Sequence, residues 1–251
     1  MTIAIITGAS SGLGREYVRA VAEMMPMLDE IWLIARRKTQ LVELAQSIAG
    51  RRFRILPYDL TDPAALRKMQ GLLAREKPQV RLLINDAGAM HTGPVAAMPI
   101  ADQLELIALH AVAPTVLTRL VLPYMARGAA IINVTSIGAF TPSPNMVVYS
   151  ASKAYLLAYT KGLHAELRCQ GIHVLALAPG LMRTGQFSST APSRFNMAAH
   201  LPLLNMAKVA RRSLTLVQRG RMVYTPHPFY KAFRLAAALI PDALLTYFDQ
   251  V

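Results

Sequence analysis

Within the stretch VYSASK, residues 148–153, a phenol and an amine stand four positions apart: Tyr149 and Lys153. On a helix that spacing places both on one face. A free phenol titrates near pH 10, too high for proton transfer at neutral pH. A neighbouring cation favours its ionised form. The pair therefore reads as an acid/base centre in which Lys153 lowers the pKa of Tyr149. Between them Ser150, Ala151 and Ser152 are small and leave room for a ligand against that turn.

A second constellation lies near the start of the chain. TGASSGLG, residues 7–14, carries Gly8, Gly12 and Gly14 after a short apolar run. Such a loop opens a helix whose first N–H groups can hold a phosphate, and glycine lets the backbone approach a pyrophosphate closely. The next apolar run ends in IARRK, residues 34–38. An acidic residue there would hold the ribose hydroxyls of NAD. Arg36 and Arg37 stand there instead, and their forked donors suit a 2′-phosphate. The expected cofactor is NADP(H).

These residues need a scaffold. Apolar segments at Ile3–Thr7, Ile31–Ala35, Phe53–Leu56, Val80–Ile84, Ala130–Val134 and Ile172–Leu177 read as buried strands. Helical spacing fills the gaps, for example at Leu41–Ile48 and Leu66–Leu73. The alternation predicts an α/β fold, a doubly wound parallel sheet (Rossmann fold) of about seven strands with helices on both faces. Two longer helices are expected at Asp102–Ala126 and Val147–Gln170, with apolar surface to spare for a partner subunit. The 251 residues, 53% hydrophobic and free of repeats, suit a single domain over 1–251.

Composition excludes several classes. The net charge of +13 is spread in small groups, without a long basic run or nucleic-acid motif. No apolar run is expected to approach a membrane span, and the first residues lack the basic region of a signal peptide. The one cysteine, Cys169, allows no internal disulfide and fits the reducing cytoplasm. The histidines show no metal-ligand spacing, so no metal site is expected.

The chain resembles the short-chain dehydrogenase/reductases over nearly its whole length. The matching pieces come in order: TGASSGLG, DLTDP (59–63), NDAG (85–88), NVTSIG (133–138), YSASK (149–153) and PGLMRT (179–184). The resemblance implies reaction-centre roles for Ser136, Tyr149 and Lys153. Thr135 is the competitor of Ser136, but strand alternation sends the two to opposite faces, and the family separation from Tyr149 favours Ser136. His110 aligns where the family usually has an Asn that anchors a water behind the lysine; a core histidine is the alternative. The resemblance also implies cofactor contacts from Gly8, Ser10, Ser11, Gly12, Leu13 and Gly14, and from Asp59 and Leu60 near the adenine. Beyond the fourth strand it adds Asp86, Ala87 and Gly88, and at the nicotinamide end Pro179, Gly180 and Thr184. Tyr149 and Lys153 would touch the cofactor too. Asp86 departs from the usual Asn: an ionised carboxylate only accepts hydrogen bonds.

The substrate side is read from two segments. Residues 182–206, rich in Met, match the family's lid and suit an apolar substrate. The extension at 226–251 is apolar and would cap the pocket, contact a partner subunit or lie on a membrane. The expected activity interconverts a ketone and a secondary alcohol on a bulky apolar or anionic substrate of steroid, bile acid or fatty-acyl type. The competing reading is a catalytically weak nucleotide-binding or regulatory protein. A homodimer or homotetramer is expected.

Overall fold

The computed structural model describes residues 1–182 and 201–241. Seven strands form it: β1 (Thr2–Thr7), β2 (Glu30–Ile34), β3 (Phe53–Leu56), β4 (Gln79–Asn85), β5 (Met125–Val134), β6 (His173–Leu177) and β7 (Val223–Tyr224). All pair in parallel, in the order β3-β2-β1-β4-β5-β6-β7. The helices are α1 (Gly12–Met24), α2 (Lys38–Gln46), α3 (Pro63–Glu76), α4 (Ile100–Ile107), α5 (Ala113–Val121), α6 (Val147–Leu167), α7 (Met206–Gln218) and α8 (Pro228–Leu239).

Successive strand residues feed opposite faces, and both faces are dry. Ala4 and Ile6 pack with α1, α2 and α7, while Ile3 and Ile5 pack with α3, α5 and α6. Burial on both sides is why the strands read as unbroken apolar runs rather than alternating ones. Tyr17 of α1 bonds Ser213 of α7 inside the first layer, at 2.7 Å. The order reverses between β1 and β4, and the crevice at the carboxyl ends of those strands is where such sheets bind ligands.

The single helix expected over Asp102–Ala126 is a broken one. It starts at Ile100, loosens into a π turn at Ala108–Val112, resumes as α5 and ends in a 3₁₀ turn at Leu122–Tyr124. Ala126 belongs to β5. Prolines explain both changes. Pro114 has no N–H for the carbonyl of His110, so the ladder slips to Ala113 N–H bonding Ala108 C=O. Pro123 stops the helix for the same reason. By length and composition the run Ile100–Tyr124 is apolar enough to cross a membrane, contrary to expectation. Here Leu106, Leu109, Ala113, Leu117 and Val121 bury it against the fold. Its other flank leaves Ile100, Leu104, Ile107 and Val112 exposed, beside exposed Val147 and Tyr155 of α6.

Candidate active site

The glycine loop joins β1 to α1 by close contacts. Gly8 has φ +69°, a left-handed conformation, and a Cβ there would come within 2.9 Å of the Ala87 nitrogen. A Cβ on Gly14 would lie 2.2 Å from the Gly8 carbonyl oxygen. The loop is held from outside by Arg37, whose Nη2 donates to the hydroxyls of Ser10 (3.1 Å) and Ser11 (2.9 Å). Arg36 points elsewhere. Its Nη1 bonds Glu105 of α4 at 3.0 Å, with 63% of the side chain exposed. Glu105 also meets His91 Nε2 at 2.8 Å.

A cleft of about 1290 Å³ runs from these arginines along the sheet edge. Gly8, Ser10, Ser11, Gly12, Leu13, Asp59 and Leu60 line it, as do Asp86, Ala87, Gly88, Pro179 and Gly180. Gly14 does not line it but supports Gly8 from beneath. Asp59 is turned locally, accepting from the Thr61 N–H and hydroxyl at 2.9 and 2.7 Å. Thr184 lies outside the described residues.

Ser136, Tyr149, Lys153 and His110 meet at the far end of the same cleft. Ser136 follows β5 and its Oγ accepts the Gly138 N–H at 3.1 Å. Thr135 also borders the cleft, but it is buried and its hydroxyl is committed to the Leu177 carbonyl at 2.9 Å. Lys153 Nζ donates to the Val134 carbonyl at 3.0 Å and lies 5.9 Å from the centroid of the Tyr149 ring. Burial drives the Tyr149 phenol above its ordinary value, and the Ser136 hydroxyl opposes it. The expected net lowering by Lys153 is therefore not found, because desolvation of the buried phenol dominates.

His110 sits in the π turn, edge-on to the Tyr149 ring at 5.5 Å. Ser152 spends its proton on the Tyr149 carbonyl at 2.8 Å. Its oxygen therefore accepts from His110 Nδ1–H at 2.9 Å. His110 Nε2 accepts the Ala89 N–H at 3.3 Å. The two bonds fix one neutral tautomer. Burial, then the Lys153 charge, holds its pKa well below the ordinary value.

Asp86 answers the question its identity raised. Its carboxyl accepts the Gly14 N–H at the start of α1, a bond that needs only an acceptor. Burial pushes Asp86 up to about 8 against the pull of Lys153 and that N–H. Burial pushes Lys153 down to about 8, and Asp86 opposes it.

A sequence profile described as short chain dehydrogenase matches residues 2–194. The chain belongs to the short-chain dehydrogenase family. It is 33% identical over 190 residues to sulfoacetaldehyde reductase 2 of Chromohalobacter salexigens, covering 72% of this chain and 73% of that one. A short-chain dehydrogenase of Sphingobium yanoikuyae, solved in complex with NADPH, superposes with TM-score 0.78 at 29% identity, over 98% and 95% of the chains. The bulky-bulky ketone specific alcohol dehydrogenase of Comamonas testosteroni gives 0.78 at 26% identity, over 98% and 94%.

This short-chain dehydrogenase also lines its cleft with residues the motifs did not single out. Ser143 and Met146 line it, as do Phe229, Tyr230 and Phe233 of α8. The described part of the extension, through α8, thus contributes to the cleft lining. Pro228 at the first helical position and aromatic residues at i and i+4 were the available signal. Of the Met-rich segment, Met182 and Leu201 line the cleft; residues 183–200 lie outside the described residues, as do 242–251 of the extension. Among the described residues no cluster of His, Cys, Asp or Glu is placed to hold a metal.

Proposed function

We propose that this protein is an NADP(H)-dependent reductase that interconverts a ketone and a secondary alcohol on a bulky apolar substrate. The observation that carries the reading is one cleft with two ends. Ser136, Tyr149 and Lys153 converge at one, and the glycine loop with Arg36 and Arg37 stands at the other. The loop fits the cofactor: Gly8 and Gly12 line the cleft beside the N-terminus of α1, and the loop holds that shape because a Cβ at Gly8 or Gly14 would collide with neighbouring backbone. Bound there, the nicotinamide supplies or takes up a hydride. Arg36 would hold the 2′-phosphate, as the NADPH complex of the Sphingobium relative encourages.

The protein's own groups manage the proton and the developing charge. Burial keeps Tyr149 a neutral phenol at physiological pH, which makes it a proton donor to a nascent alkoxide. Ser136 presents a hydroxyl to the same oxygen. Lys153 places a cation behind the phenol as it gives up its proton. His110 has both nitrogens engaged, so we assign it a bracing role between Ala89 and Ser152 rather than a water relay.

The aromatic wall of α8 and Met146 and Met182 support an apolar substrate, in keeping with the bulky ketone specificity of the Comamonas relative. A steroid, bile acid or fatty-acyl ketone would satisfy this chemistry, and the +13 charge favours an anionic one. The exposed apolar flank of α4, α5 and α6 supports a homodimer or homotetramer. Cys169 is exposed and unpaired, which suits the cytoplasm. The test is NADPH oxidation against ketones spanning steroids, acyl thioesters and small diketones. Turnover of bulky members supports the proposal. NADPH binding without turnover of any ketone would instead favour a nucleotide-binding protein.

A further inference from the structure

The C-terminal helix does more than wall the cleft. Tyr230 is completely buried, although it lies well past the family match at 2–194. Its hydroxyl accepts the Leu181 N–H at 3.1 Å and donates to the Pro202 carbonyl at 2.8 Å. A phenol has one proton to give and lone pairs to accept with, and both functions are used. Leu181 follows β6 and Pro202 precedes α7, so one oxygen joins two stretches from different parts of the chain. A third bond, Leu204 N–H to Leu181 C=O at 3.0 Å, holds the same two stretches together. The ring itself lies on Gly180, where a Cβ would come within 2.1 to 2.4 Å of three ring carbons. Phe229 meets the ring edge-on at 5.3 Å and lines the cleft beside it.

We infer that Tyr230 is a positioning residue for the substrate. It sets the distance between the aromatic wall of α8 and the floor at Gly180–Leu181, against which the ketone must lie to reach Tyr149. This rests on the proposed ketone reductase activity. The ring and the hydroxyl have separable duties. The ring supports Gly180 at the cofactor side, whereas the hydroxyl fixes Leu181 and Pro202 at the substrate side.

Tyr230→Phe separates them, because it keeps the ring and removes one oxygen. Steady-state kinetics with the ketone turned over by wild type should show its KM raised about tenfold, from the two unpaired backbone groups and the looser floor. The change in kcat should be smaller. The Kd for NADPH, read by fluorescence in the binary complex, should stay within about twofold, because the ring still supports Gly180. Amide exchange at Leu181 should quicken, which shows that the lost bond is the cause. An unshifted ketone KM, or a KM and NADPH Kd that rise by the same factor, overturns the inference. A wild type that turns over no ketone fails in a different way: it removes the activity on which the inference rests, whatever the variant does.

Discussion

Asp86→Asn changes charge with little change of shape, and its effect can be worked out beforehand. Asparagine retains an oxygen that accepts the Gly14 N–H. What disappears is the negative charge that opposes the depression of Lys153, whose pKa is pushed down to about 8 by burial. Opposite charges shift each other's pKa over ~4–6 Å. At an effective dielectric of ~20, unit charges ~5 Å apart interact by ~3 kcal/mol, or ~2 pKa units. Asp86 itself titrates at about 8, so it is ionised roughly half the time there and its average support is ~1 unit. The sign follows directly. Losing the anion lowers the Lys153 pKa further, so the ammonium disappears at a lower pH. The alkaline limb of kcat/KM for ketone reduction, measured from pH 6 to 10 at constant ionic strength, should move about one unit toward acid. A limb that stays in place, or moves toward alkali, would refute the coupling of Asp86 to Lys153.

Tyr149→Phe should lower kcat by a factor on the order of 10²–10⁴, the range typical of a lost general acid. His110→Ala should cost less, because it removes a brace and leaves the phenol; equal losses in kcat would contradict that assignment. Arg36→Ala should weaken NADPH about tenfold relative to NADH, a value set at the low end by the exposure of Arg36 and its existing bond to Glu105; an unchanged NADPH/NADH ratio of kcat/KM would show that Arg36 does not read the phosphate. Leu104→Glu, on the exposed flank of α4, should convert the proposed oligomer to smaller species by sedimentation without unfolding the protein; a profile identical to wild type would count against that flank as a subunit contact.

The sheet and its loops were readable because they are local. Buried strands announce themselves as apolar runs, and TGASSGLG and YSASK carry their chemistry within a few residues. The π turn was less visible, although Pro114 encodes it. A helical pattern from Asp102 onward hides the slipped hydrogen bond that sets His110 against Ala89 and Ser152. The direction of the Tyr149 shift is hidden from the sequence for a related reason. Spacing put Lys153 on the right face, but the depth of burial belongs to the tertiary fold. Tyr230 was invisible among the other aromatic residues of the tail. Its partners stand 49 and 28 positions away, and no periodicity reports contacts at that range.

The order in which the chain supplies its cleft divides it into two estates. Every group assigned to proton handling lies before residue 154, while the aromatic wall begins at Phe229. Distant changes without shared partners combine almost additively. Substitutions on the outer aromatic positions, Phe229 and Phe233, can therefore explore new ketones without retuning Tyr149 or Lys153. Tyr230 is the hinge pin that such exploration must leave in place, since its ring lies on Gly180 and its hydroxyl bonds Leu181. The C-terminal helix is in that sense an exchangeable bit on a fixed handle, and directed evolution of substrate range would begin there.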